Sequence, residues 1–160
     1  MKITVLFASP RPKGHTAALL DAFLAEYPGA EVERFDAYAL NAAPCTACGA
    51  CEKTGKCIVR DLDSLFRACE TCDVLVLASP VYNYYFPAPM KAILDRAQPY
   101  YHKNFERGAA DPARKGYLLL TAGRSGKYAF DLMEKQFSIL CRELGATFAG
   151  ARAVGGTDKF

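Results

Sequence analysis

The sequence predicts an α/β protein built on a doubly wound, five-stranded parallel sheet. Five short apolar or alternating runs, separated by four stretches with apolar residues at helical spacing, carry that prediction. The chain also lacks any repeat, low-complexity tract or linker that would divide it. Its 160 residues fit a single domain, 1–160, able to bury roughly 70% of its unfolded surface.

Each element follows from its own pattern. Residues 2–8 form a continuous β-branched run, as in a strand buried on both faces. Leu19, Leu20, Phe23, Leu24 and Tyr27 recur at helical spacing, so a helix is predicted over 16–27 and stopped by Pro28-Gly29. Residues 30–35 alternate as a second strand. Asp61 is positioned to cap a helix whose stripe is Leu62, Leu65, Phe66 and Cys69. Residues 73–78 read as the clearest buried strand, and Pro89 opens a helix carrying Met90, Ile93, Leu94 and Ala97. The segment 99–115, with Pro99, Gly108 and Pro112, has no assigned structure. Residues 116–121 form a fourth strand. Phe130, Met133, Phe137, Leu140, Cys141 and Leu144 then mark one helix face, ended at Gly145, before a fifth strand over 147–154.

Composition narrows the function. The chain is 51% hydrophobic and 23% charged, with a net charge of +3 and no run of five like charges, which argues against a nucleic-acid binder. No stretch approaches a membrane span, and the N-terminal apolar run is too short for a signal peptide, so a cytoplasmic protein is expected. Seven cysteines are an odd number for a disulfide framework and point to thiols or metal ligands.

In parallel sheets of this kind, ligands bind beyond the carboxyl ends of the strands. Three loops therefore matter most. Ser9-Pro10-Arg11-Pro12-Lys13-Gly14-His15-Thr16 joins a strand to a helix N-terminus and combines hydroxyls, a glycine and cationic side chains, as in a phosphate cradle. The chain contains neither a dinucleotide fingerprint nor a P-loop, and no cysteine is followed by arginine six positions later, so the phosphate is read as a cofactor's. The loop 79–89 carries Tyr82, Tyr84, Tyr85 and Phe86 between prolines, a stiff aromatic surface suited to a planar ring or to a subunit interface. Residues 121–126 form the third loop.

Ser9-Pro10-Arg11 with Gly14-His15-Thr16, Ser79-Pro80-Val81-Tyr82 with Pro89-Met90-Lys91 and Leu94-Asp95-Arg96, and the loop from Thr121 to Gly126 together resemble the flavodoxin-like NAD(P)H-dependent FMN reductases. That resemblance spans nearly the whole chain and implies strand order 2-1-3-4-5. It implies that Ser9, Arg11, Gly14, His15 and Thr16 hold the FMN phosphate. Pro80, Val81, Tyr82, Asn83 and Tyr84 would line the ribityl chain and ring, and Thr121, Ala122 and Gly123 the ring's other edge. The implied function is an FMN-dependent oxidoreductase that moves electrons between NAD(P)H or an electron carrier and a small acceptor, with the chemistry at FMN N5 and no catalytic side chain. Family members usually add a last helix that this sequence lacks. An uncovered sheet face, and with it a homodimer or homotetramer, is therefore expected, with Tyr100, Tyr101, His102 and Phe105 as interface candidates.

Cys45, Cys48, Cys51 and Cys57 form a Cys-x2-Cys-x2-Cys-x5-Cys motif at about 41–57. Three-residue spacings in a short loop suit a [4Fe–4S] cluster, with Gly49 and Gly55 for the bends, and the motif resembles the iron–sulfur flavoprotein branch of the family. Free thiols, zinc and a reversible disulfide remain open alternatives. Cys69, Cys72 and Cys141 read as core residues. A cluster-free quinone, azo or flavin reductase, a flavodoxin-type carrier, and a module binding another phosphorylated ligand are the competing functions.

Overall fold

The structure, a computed structural model, describes residues 1–107, 110–124 and 130–158; of residues 102 and 104–107 only the backbone is described. Gly126 of the third loop and the side chains of His102 and Phe105 lie outside the described residues.

The sheet has the order β2-β1-β3-β4-β5, every neighbouring pair parallel. Its strands are β1 (Lys2–Phe7), β2 (Glu31–Asp36), β3 (Val74–Pro80), β4 (Asp111–Thr121) and β5 (Ala146–Val154). Among the described residues seven helices connect them: α1 (His15–Leu24), α2 (Ala37–Leu40), α3 (Ala50–Thr54), α4 (Asp63–Thr71), α5 (Ala88–Asp95), α6 (Gln98–Arg107) and α7 (Asp131–Glu143). β3 is buried at every position because it lies at the centre of the sheet with helices over both faces. The crossovers place the carboxyl ends of β1, β3 and β4 side by side, in the register Phe7 to Ala78 and Pro80 to Thr121.

The core lies in two layers. Ile3, Val5, Phe7, Val76 and Leu119 meet Leu20 and Phe23 of α1 on one face. Leu6, Leu75, Leu77, Leu118 and Leu120 meet α4, α5 and α7 on the other, through Leu65, Met90, Ile93 and Phe137. Gly116 lets α7 approach β4 closely: a Cβ there would lie 2.2 Å from Cys141 Sγ. Each buried Leu, Ile or Phe contributes about 1.5–3 kcal/mol by leaving water.

Several expectations are revised. The segment 99–115 contains α6 and the first half of β4; Pro99 sits at the second helical position, where a missing N–H costs little. Asp61 does not cap α4. Leu62 is the N-cap and makes no side-chain cap bond, because Asp61 turns instead to Arg96 and to the Ala43 N–H. The residues of β5 from Ala149 on are largely exposed, and on the α1 side of the sheet two cationic side chains lie over aromatic rings. The guanidinium of Arg34 stands 3.8 Å over the Phe7 ring and that of Arg152 5.1 Å over Phe23, while Arg152 also pairs with Glu26. After β5 the chain folds back, with the N–H groups of Gly156, Thr157 and Asp158 donating to the carbonyls of Arg124, Ala122 and Gly123 at 2.9, 3.1 and 3.0 Å.

Candidate functional site

Two cavities contain the residues singled out from the sequence. The first, about 130 Å³, lies where β1, β3 and β4 end. Ser9, Arg11, Gly14, His15, Thr16, Pro80, Val81, Tyr82, Thr121 and Gly123 all line it. Residues separated by more than 100 positions converge there because parallel strands deliver their carboxyl ends to one edge. Asn83, Tyr84 and Ala122, also expected in the site, do not line it.

The floor of this cavity is the N-terminus of α1. Gly14 is its N-cap and supplies no side-chain bond, so the first helical N–H groups face the cavity without a protein cap. That is an anion site with the positive end of the helix dipole behind it. Ser9 Oγ accepts a hydrogen bond from the Arg11 N–H at 3.2 Å, which curls the loop around the helix end. The buried hydroxyls of Thr16 and Thr121 share a 2.7 Å hydrogen bond and tie the helix to the end of β4.

The aromatic loop closes the next side. Tyr82 and Tyr85 exchange two backbone hydrogen bonds of 2.9 Å around Asn83 and Tyr84, whose φ angles are +50° and +64°. Two successive left-handed residues make a primed hairpin turn, strained for a tyrosine. Tyr84 is thereby thrust outward and is 73% exposed. Tyr85 is anchored by its hydroxyl to Gln136 Oε1 at 3.1 Å, and burial pushes its pKa up. Thr157 and Asp158 complete the cavity wall, with the Asp158 carboxylate against Gly123. No local pattern marks these two residues, since only the fold-back after β5 brings them there.

The second cavity, about 300 Å³, is lined by Cys45, Cys48, Cys51 and Cys57 together with Pro44, Ile58, Val59, Arg96 and Pro99. Gly49 and Gly55 flank α3 in left-handed conformations (φ +72° and +67°), so the bends expected of them are made. Cys45 and Cys48 are exposed, Cys51 and Cys57 half-buried. Burial, and then the neighbouring Cys45 and Cys57, raise the pKa of Cys51. Among the described residues no three such side chains are placed to share one metal ion. A polynuclear cluster gives each thiolate its own iron, and the four cysteines line one cavity whose wall mixes apolar residues with the charged Glu52, Asp95 and Arg96.

Arg96 was read from the sequence only as part of Leu94-Asp95-Arg96, yet its side chain is 3% exposed and forms one wall of the cysteine cavity. Its Nη2 donates to Asp61 Oδ1 at 2.7 Å. Burial disfavours the charged guanidinium, but Asp61 and the adjacent Cys57 outweigh it and hold Arg96 above its usual pKa. Burial acts on Asp61 in the opposite sense to its partners as well; Arg96 and the Ala43 N–H prevail and lower its pKa. Cys69, Cys72 and Cys141 are buried away from both cavities, as expected, and burial raises the pKa of Cys141 to about 12.

Comparison with known proteins places these cavities in context. The model of the NADPH-dependent FMN reductase family matches residues 1–157. An iron-sulfur flavoprotein from Archaeoglobus fulgidus is 40% identical over 111 residues, 68% of this chain and 50% of that protein. The chain spans about half the length of the curated relatives it matches. Among solved structures, Smu.1420 from Streptococcus mutans UA159 has a TM-score of 0.75 at 17% identity, over 100% of this chain and 90% of that one. An NAD(P)H:quinone oxidoreductase from Methanothermobacter marburgensis has a TM-score of 0.69 at 21% identity, over 98% and 87%. These two likenesses show the fold, a flavodoxin-like sheet.

Proposed function

The chain belongs to the NADPH-dependent FMN reductase family, and from that premise we propose that it is an FMN-dependent oxidoreductase taking electrons from NAD(P)H or an electron carrier to a small acceptor. The observation that carries this reading is the convergence of three strand-end loops on an uncapped helix N-terminus. The helix N–H groups and Arg11 bind the phosphate, and Ser9 and Thr16 orient it with their hydroxyls. At about 130 Å³ the cavity is smaller than the ~300–1,000 Å³ that encloses a whole small-molecule ligand. It would therefore take the phosphate end of FMN, with Pro80, Val81 and Tyr82 toward the ribityl chain and ring and Thr121, Ala122 and Gly123 toward the ring's other edge. Redox chemistry is that of the flavin ring when FMN is bound; the chain holds and orients it and needs no acid or base of its own.

The cysteine cavity adds a second part to the proposal. Four cysteines around one cavity, beside a buried cation that offsets negative charge, suit a [4Fe–4S] cluster, which would supply one-electron transfer. The name of the Archaeoglobus relative agrees with this reading. A homo-oligomer, with Tyr100 and Tyr101 at its interface, completes the proposal.

Fluorescence titration of flavin-free protein tests the phosphate cradle. FMN is expected to bind at one site per chain and far more tightly than riboflavin, which has the ring but no phosphate. Equal affinities would remove the cradle from the account. Turnover of NAD(P)H with a quinone then distinguishes a reductase from a carrier that is reduced only by a partner protein.

A further inference from the structure

The cysteine segment is held shut from outside by one side chain. Arg96, at the C-cap of α5, donates from Nη1 to the Ala43 carbonyl at 2.8 Å and from Nη2 to the Val59 carbonyl at 2.6 Å. Ala43 lies two residues before Cys45 and Val59 two residues after Cys57, so one guanidinium pins together the two ends of the segment that carries all four cysteines. Asp61 completes the ring. Its Oδ1 takes Nη2 of Arg96 and its Oδ2 accepts from the Ala43 N–H at 3.0 Å.

Three of the five guanidinium hydrogens are used in these bonds. Nε of Arg96 is fully buried and has no hydrogen-bond partner, unlike every other buried side-chain nitrogen or oxygen among the described residues. A buried donor left without an acceptor is costly, and native structures rarely keep one without a function. Arg96 borders both the cysteine cavity and the Cys57 side chain. The acceptor that belongs opposite Nε is therefore a sulfur anion.

We propose that Arg96 is the positioning residue of the cysteine site: its two Nη groups close the loop, and its Nε–H is reserved for a sulfur anion in the cavity, either the Cys57 thiolate or the inorganic sulfide of a bound cluster. The proposal rests on the iron–sulfur reading of this cavity. It deepens that reading by assigning a residue that fixes the ligand loop and sets the charge felt by the cluster, as outer-shell partners of metal ligands do.

The test uses the full chain with Arg96→Lys, Arg96→Met and Asp61→Asn. Lysine keeps the charge but cannot reach Ala43, Val59 and Asp61 at once. In the metal-free protein, mass spectrometry after timed iodoacetamide treatment should show Cys51 and Cys57 alkylated several-fold faster in Arg96→Lys than in wild type. Cys69, Cys72 and Cys141 should be unchanged. After anaerobic loading with iron and sulfide, affinity for iron should fall by roughly 10–100-fold, as for other outer-shell substitutions. The reduction potential of the remaining cluster should move to more negative values in Arg96→Met, because a positive charge and a hydrogen bond to sulfur have gone. FMN content should be the same in all variants.

Unaltered alkylation in both Arg96 variants would overturn the loop-closing role. An unaltered potential in a variant that still holds a cluster would overturn the Nε–sulfur bond, since a merely structural arginine moves stability but not potential. Should the wild-type chain take up no iron, the iron–sulfur reading fails, and the alkylation result alone then upholds or overturns Arg96. Should Arg96→Met fail to fold, Arg96→Lys and Asp61→Asn carry the same comparisons.

Discussion

The two cavities are built by opposite means. The strand-end cavity inherits its shape from the sheet: its walls are the ends of β1, β3 and β4 and the first turn of α1, all continuous with the buried core. The cysteine cavity lies in a segment whose one short helix, α3, has no buried residue, and its geometry depends on a single buried side chain that grips both ends. A site on the scaffold is insensitive to any one contact, whereas a site on a loop has the stability of its clamp.

The largest effect that separates the two is chemical. Cys48→Ser should abolish the broad iron–sulfur absorbance of anaerobically prepared protein and leave the flavin bands, because a cubane cluster needs its four thiolates while the strand-end cavity contains none. Iron at the wild-type level in that variant would remove Cys48 from the ligand set.

Next comes the clamp itself. Arg96→Met removes the guanidinium partner of the solvent-exposed Asp61 and leaves two carbonyls unbonded, so urea denaturation should show a loss of about 1–3 kcal/mol, the range for leaving hydrogen-bonding groups unpaired. A loss below about 1 kcal/mol would show that the segment is held by other contacts.

A smaller effect belongs to the scaffold side. Thr16→Ala removes one hydroxyl from the strand-end cavity and leaves Thr121 without its 2.7 Å partner, which should weaken FMN binding by ~5–10-fold, equivalent to about 1–1.4 kcal/mol. Iron content should not change. Unaltered FMN affinity by fluorescence titration would count against the phosphate assignment.

The smallest effect lies near neither cavity. Burial raises the pKa of Glu143, at the end of α7, to about 7. A carboxyl with a raised native pKa favours the folded state at low pH, and this contribution is lost as pH rises from about 4.5 through about 7. Glu143→Gln should therefore raise Tm by a few degrees at pH 8, on the order of 1 kcal/mol, and barely alter it at pH 4. The same gain at both pH values would show that ionisation is not the cause.

Much of this was legible in the sequence, and unevenly so for a physical reason. Buried parallel strands must be apolar throughout, so Lys2–Phe7 and Val74–Pro80 declare themselves, and the loops that follow them are placed by topology. The spacing of Cys45, Cys48 and Cys51 likewise predicts, without reference to the rest of the chain, that the cysteines gather, and they line one cavity. The clamp is different. Asp61 stands where a helix cap is expected, and nothing local says that its charge belongs to Arg96, 35 positions away. α6 has no clear sequence signal because Pro99 and its polar neighbours mask a helix whose stability comes from packing, with the Tyr100 ring tilted against Phe66 at a centroid distance of 4.9 Å. Thr157 and Asp158 reach the strand-end cavity through backbone bonds to Ala122 and Gly123.

The central claim is that one chain holds FMN at its strand ends and an iron–sulfur cluster in its cysteine loop. Its most direct test is a UV–visible spectrum of protein purified without oxygen, with FMN, iron, sulfide and zinc quantified on the same sample. The account predicts one FMN with about four irons and four sulfides per chain. Flavin accompanied by zinc or by no metal would contradict the cysteine half of the claim, and a sample that neither contains nor takes up FMN would contradict the whole.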